Sequence, residues 1–209
     1  MPPSPLLALR DASITFGGRP TFAEITVALG KGDRACLVQL VNAIAPIMTE
    51  TGGAAWRQAI FHPFAQMSNF GQGRVLRTEI ASPTYAASYF DPRGTENLSY
   101  PLPAVPYLKL AAVHDEAAEA LTLFALNRHL SEEARLAVAT DGFAGLAVER
   151  ALTLHDADLA AVNTNEEPDR VRPTPLLGTE LAGAFLRATL PPASWTMIRL
   201  RTAAPDAAA

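Results

Sequence analysis

The stretch Ala35-Cys36-Leu37-Val38-Gln39-Leu40-Val41-Asn42-Ala43-Ile44-Ala45-Pro46-Ile47-Met48 joins two differently patterned parts of the chain. Upstream of it, short apolar runs alternate with glycine turns. Residues 6–16 and 21–29 read as two strands across Gly17-Gly18, and residues 34–38 follow Gly30-Lys31-Gly32-Asp33 as a short buried strand. From Leu37 the apolar positions change step: Leu37, Leu40, Val41, Ile44, Ile47 and Met48 fall at intervals of three and four, which predicts a helix kinked at Pro46. Thr49 to Gly53 would end it.

Further downstream, residues 56–70 read as a second helix, broken near Pro63, with Ile60, Phe61 and Phe64 expected inside. Residues 74–80 form a strand candidate with Val75 and Leu76 on opposite faces. Residues 82–106 carry many prolines and aromatics without a period and read as a long loop. A hairpin is predicted from residues 107–114 and 120–128 around Asp115-Glu116-Ala117-Ala118-Glu119. Residues 133–140 add a strand with Leu136 and Val138 on one face. Residues 146–154 add another, with Leu146, Val148, Leu152 and Leu154 together. Residues 163–175 are polar and loop-like. Residues 184–190 and 194–201 are expected to pair as a last hairpin around Pro191-Pro192. The fold class that follows is mainly β: an antiparallel sandwich over residues 73–201, preceded by two helices in residues 39–72 and a few strands in residues 1–38, with a frayed tail at 202–209.

Composition narrows the function. The chain has 209 residues, 49% of them hydrophobic, enough for one domain with a real core and an appendage. Its net charge is -4, and no run of Lys and Arg is long enough to follow a phosphate backbone, which argues against a nucleic-acid partner. The one cysteine, Cys36, reads as a buried thiol that cannot form an internal disulfide. No apolar run reaches the roughly 18 residues of a membrane span. The first residues lack a signal-peptide pattern, so a cytoplasmic location is expected. No cofactor is implied.

Two resemblances can be placed on particular residues. Residues 9–18 and 31–38 resemble the opening strands of an ATP-binding cassette domain, in which an aromatic residue at the position of Phe16 would stack on adenine. That family places a glycine-rich phosphate loop ending in lysine directly after the third strand. Here Gln39-Leu40-Val41-Asn42-Ala43-Ile44 follows Val38, without glycine or lysine, so ATP binding is not expected and Phe16 reads as a core or edge aromatic.

The second resemblance covers most of the chain. It is carried by residues 39–49, by Trp56-Arg57-Gln58-Ala59-Ile60-Phe61-His62-Pro63-Phe64, by Ser82-Pro83-Thr84-Tyr85, by Val105-Pro106-Tyr107-Leu108, and by residues 121–128 and 190–200. These blocks are similar to α-L-arabinofuranosidases of glycoside hydrolase family 51. The resemblance implies the end of a TIM-type barrel up to about Phe70, then a C-terminal jelly-roll sandwich. It marks residues 91–102 as an insertion. It also implies hydrolysis of terminal α-L-arabinofuranosyl bonds, arabinose-containing oligosaccharides as partners, and a tendency to form homo-oligomers. A retaining mechanism needs two carboxylic side chains about 5 Å apart. In this family both are glutamates on earlier barrel strands, which these residues do not include. One substrate-binding position carries over: Gln39 matches the glutamine that hydrogen-bonds the bound sugar, and it also fits a solvent-facing helical position. The resulting expectation is a truncated or fused family member, joined near Ala35-Cys36-Leu37 to a cassette-like segment and inactive as an isolated chain, with a non-catalytic sugar-binding or interaction sandwich as the alternative.

Other side chains were weighed as replacements. Glu116 with Glu119, and Glu132 with Glu133, read as solvated turn charges. Asp156 and Asp158 have the spacing of calcium ligands but lack companions, so a turn is the simpler reading. His62, His114, His129 and His155 are dispersed. Trp56 and Trp195 could stack on a sugar, yet each lies in an apolar element that favours core packing. Arg199 and Arg201 read as a solvated strand face.

Overall fold

The computed structural model describes residues 7–16, 19–29, 45–90 and 99–202, with side chains for 45–88, 101–102 and 104–202. It divides into two units, Met1–Gln39 and Leu40–Ala209. In the first unit β1 (Leu7–Phe16) and β2 (Arg19–Leu29) pair antiparallel, from Leu7 against Leu29 to Phe16 against Arg19. Only the backbone of Phe16 is described. Cys36 and Gln39 lie outside the described residues.

The second unit opens with a tight hairpin of β3 (Ile47–Thr49) and β4 (Ala55–Arg57), in register Ile47 to Arg57. The predicted helix over 37–48 is therefore corrected where it can be seen. Pro46 has no N–H to donate, and its carbonyl accepts from Gln58 N at 2.8 Å, which closes the hairpin instead of a helical turn. Gly52 takes the left-handed conformation that the turn requires, with φ of 70°. The second predicted helix is also shorter. Trp56 is in a strand, and α1 runs Phe61–Phe70. Pro63 is the third helical residue, where no intrahelical donor is needed, so it fits the first turn and breaks nothing. His62 and Gln66 are buried, with Phe70 packed one turn further along, while Ile60 and Phe64, expected inside, are about two-fifths exposed.

After α1 come β5 (Arg74–Leu76), β6 (Thr84–Phe90), β7 (Ser99–Pro106), β8 (Leu108–Asp115), β9 (Ala120–Asn127), β10 (Ala134–Ala139), β11 (Leu146–Leu154), β12 (Thr174–Pro175), β13 (Glu180–Ala182), β14 (Phe185–Leu190) and β15 (Ser194–Thr202). A six-stranded antiparallel sheet, ordered β12-β11-β15-β9-β8-β5, faces a three-stranded sheet, β10-β14-β13. Between them lies the main core, built on Leu121, Leu123, Leu136, Leu186, Leu190, Ile198 and Leu200. Alternation explains it: in β14 Leu186, Ala188 and Leu190 are buried, while Phe185, Arg187 and Thr189 point out. This is the antiparallel β-sandwich expected from the strand pattern.

Four expectations need correction. Residues 82–106 are not a loop, because β6 and β7 pair from Thr84–Pro106 to Phe90–Ser99; residues 91–98 lie outside the described set. β14 and β15 do not pair with each other. β14 bonds to β10 and β13, β15 bonds to β11 and β9, and Pro191-Pro192 carries the chain from one sheet to the other. The buried Asn127 holds that crossover, its Nδ2 donating to the carbonyls of Pro191 at 2.8 Å and Glu132 at 2.9 Å. In β11 the register slips between Val148 and Arg150. That bulge exchanges the faces of the strand: Leu146, Val148 and Ala151 join the main core, and Leu152 turns to the opposite side. The strand expected at 74–80 ends at Leu76. At its start, Gly73 has φ of 115°, and a Cβ there would sit 2.3 Å from the His114 carbonyl oxygen.

Candidate functional site

The outer face of the large sheet is covered by α1. Val113, Phe124 and Met197 form a second cluster, joined by Phe70, Leu152 and Trp195. Trp195 stacks on Phe124 at 5.8 Å and donates its indole N–H to Gln66 Oε1 at 2.8 Å. It packs as expected. Arg199 is not on a solvated face: it is 9% exposed, donates to Glu149 at 2.8 Å and to Thr122 Oγ1 at 2.9 Å, and lies over the Phe70 ring at 5.3 Å. Arg201 is exposed and reaches the same Glu149 at 3.7 Å.

Among the described residues, clefts open on the second unit. The first, of about 420 Å³, lies at one end and is lined by Arg74, His114, Glu116, Glu119, Phe143 and Thr202 among others. Two glutamates thus share one concavity. Glu116 is 3.6 Å from Arg74 and 3.9 Å from His114, and its side chain is 69% exposed. Glu119 is also exposed; its carbonyl accepts from Thr202 N, and its φ of 49° fixes it at the end of the β8–β9 turn. A glycosidase acid must be withdrawn from water so that it stays protonated beside an ionised partner. Neither glutamate is so withdrawn, and one is held by a cation.

The second cleft, of about 280 Å³, lies against the β3–β4 hairpin and is lined by Ile47, Ala55, Trp56, Arg57, Phe61, Pro168 and Asp169. Asn163, only 2% exposed, fixes its walls. Its Nδ2 donates to the carbonyls of Arg57 at 2.8 Å and Val171 at 3.0 Å, and its Oδ1 accepts from Val171 N at 2.7 Å. Its own carbonyl accepts from Trp56 Nε1 at 2.9 Å and Gln58 Nε2 at 3.0 Å. Arg57 pairs with Asp169 at 3.6 Å and lies 5.7 Å over Phe61. Behind it, His62 is buried, and among the described residues its Nε2 has no hydrogen-bond partner. Burial, reinforced by the Arg57 charge and opposed by Asp169, holds its imidazole below the usual histidine pKa. Nothing in the sequence singled out Asn163 or Asp169, which sit in a polar loop far along the chain from Trp56.

The remaining side chains are accounted for by structure. Asp158 pairs with Arg170 at 2.8 Å, and Asp156 and Asp158 each accept from a backbone N–H two residues on, forming turns. His129 accepts from Glu132 N at 2.8 Å and continues a stack of rings with Tyr107 and Tyr85. His114 packs edge-on to Phe143 at 5.0 Å. Among the described residues no group of three or more His, Cys, Asp or Glu side chains is placed to hold a metal ion, and no helix is long and apolar enough to cross a membrane.

Among the described residues the second unit is thus a sandwich of two antiparallel sheets, backed by one helix and preceded by a hairpin. The family model of the α-L-arabinofuranosidase C-terminal domain matches residues 33–194, and the chain belongs to that family. It is 42% identical over 188 residues to an intracellular exo-α-(1→5)-L-arabinofuranosidase of Streptomyces lividans, covering 88% of this chain and 26% of that relative. It is 37% identical to an exo-α-(1→6)-L-arabinofuranosidase of Bifidobacterium longum, over 86% of this chain and 33% of the relative. Among solved structures, a family 51 α-L-arabinofuranosidase from Bifidobacterium longum superposes with a TM-score of 0.65 at 33% identity, over 78% of this chain and 30% of its own. The α-L-arabinofuranosidase of Thermotoga maritima, solved with arabinose, gives 0.65 at 25% identity, over 77% of this chain and 32% of its own. The chain thus spans about a quarter to a third of the length of these relatives. The comparisons do not support the cassette resemblance, and the family match already begins inside the stretch that carried it, at residue 33.

Proposed function

We propose that these residues serve as the C-terminal sandwich of an α-L-arabinofuranosidase that works inside the cell on arabinose-containing glycans, and that by themselves they do not cleave the glycosidic bond. The family match over residues 33–194 carries this reading. The inactivity is supported by the state of the carboxylates: Glu116, Glu149, Asp158 and Asp169 are each engaged by an arginine. The two glutamates that share a cleft are both open to solvent. Gln39, outside the described residues, would reach a bound sugar only within a complete barrel, where its amide offers both donors and an acceptor.

The face of α1 turned away from the sheet supports a bracing role. Ile60, Phe64 and Met67 lie one turn apart along it and are 41–50% exposed. Covering the part of each that is still exposed would contribute about 1 kcal/mol, so this face suits either the rest of such an enzyme or a second copy of the chain. The test is incubation of the purified 209-residue chain with an aryl α-L-arabinofuranoside. Release of the aryl group no faster than in buffer is expected, and turnover above it would overturn the proposal.

A further inference from the structure

We infer that the cleft between the β3–β4 hairpin and residues 163–171 is a binding site for one pentosyl ring of a polysaccharide. That the ring is arabinofuranosyl rests on the function proposed above. The cleft's volume of about 280 Å³ admits a single small ring with its hydration, and is below the range of sites for larger ligands. Its walls divide by chemistry. Trp56 supplies aromatic surface for the C–H face of a sugar, and Ile47 and Ala55 close the apolar side. At the rim the Arg57–Asp169 pair is loose, at 3.6 Å, with both side chains 53% exposed. It leaves guanidinium donors and carboxylate lone pairs free to meet ring hydroxyls.

The cleft is also built before any ligand arrives. The indole is anchored by its bond to the Asn163 carbonyl, the neighbouring Gln58 amide bonds the same oxygen, and the Asn163 side chain ties Arg57 to Val171. Arg57 is in turn laid over Phe61. A binding wall held this way has little side-chain entropy left to lose. The larger cleft at the sandwich end is a weaker case. There Glu116 is already engaged by Arg74 and His114, and Phe143 is committed to His114.

The test titrates the 209-residue chain with α-(1→5)-arabinotriose and, separately, with xylotriose, followed by tryptophan fluorescence and calorimetry. Saturable change with arabinotriose is expected. Trp195→Phe should keep the fluorescence change, because that indole lies on the outer face of the sheet. Asp169→Ala, at an exposed position that cannot unfold the hairpin, should weaken binding about tenfold, as for loss of a hydrogen bond to a charged group. Trp56→Ala should abolish it, with circular dichroism confirming the fold. Equal binding of xylotriose keeps the pentosyl site and removes its link to arabinose. No saturable signal with either sugar, or wild-type affinity in both Asp169→Ala and Trp56→Ala, overturns the inference while leaving the family assignment intact.

Discussion

Replacing Asn163 by alanine tests the packing that joins the hairpin to the sandwich. The substitution removes three side-chain hydrogen bonds, to Arg57 O, Val171 O and Val171 N. The bonds of Trp56 and Gln58 go to the Asn163 backbone and survive. Val171 is 6% exposed, so its N–H and carbonyl are left without water, at about 1–3 kcal/mol for each unsatisfied group. The Arg57 carbonyl lies nearer the surface and can be rehydrated. The expected loss is therefore about 2–6 kcal/mol, a large share of the 5–15 kcal/mol typical of a domain. Urea unfolding followed by tryptophan fluorescence measures it, with Asn163→Asp as the control. Aspartate keeps the acceptor for Val171 N but turns an oxygen toward two carbonyls, so it should be no more stable than alanine. A loss under about 0.5 kcal/mol in both variants, the size of an ordinary surface change, would refute the reasoning.

Three further outcomes follow from the same contacts. Trp195→Phe keeps the stack on Phe124 but leaves Gln66 Oε1 without its donor, so denaturant unfolding should show a loss of about 1–3 kcal/mol, and Gln66→Leu in that background should recover part of it. Arg199→Ala should destabilise more than Arg199→Met, because methionine keeps the contact with Phe70 while Arg201 continues to neutralise Glu149; equal losses would contradict this. His62 titrates lower in the folded chain than its ordinary value of 6.5. Below that pH the unfolded chain binds the proton first, so the contribution is fully present above 6.5 and is lost as pH falls from 6.5 through the lower folded value. His62→Phe should flatten this part of the stability–pH curve.

The sequence shows some levels of this fold and hides others. Two apolar runs flanking a polar turn made the β8–β9 hairpin readable to within a residue, and Leu136 with Val138 named the inner face of β10. The face of β11 was not readable, since one bulged residue near Glu149 reverses every position after it. Pro191-Pro192 looked like a hairpin turn because local pattern cannot tell a strand that returns beside its predecessor from one that crosses to another sheet. α1 was misjudged at its start because Trp56 and Arg57 are held by Asn163, more than a hundred residues away. The cleft residues were hardly visible: the sequence favoured core packing for Trp56, and its partners Asp169 and Asn163 are brought to it by the tertiary fold alone.

The central claim is the function proposed above: the sandwich of the second unit supports arabinofuranoside cleavage, and the 209-residue chain does not perform it alone. Its most direct test is the rate of aryl α-L-arabinofuranoside hydrolysis by the purified chain, measured beside the double variant Glu116→Gln/Glu119→Gln. Both proteins should release the aryl group at the rate of buffer alone. Turnover by the wild-type chain that disappears in the double variant would show that the end cleft is a working acid pair, and would contradict the account.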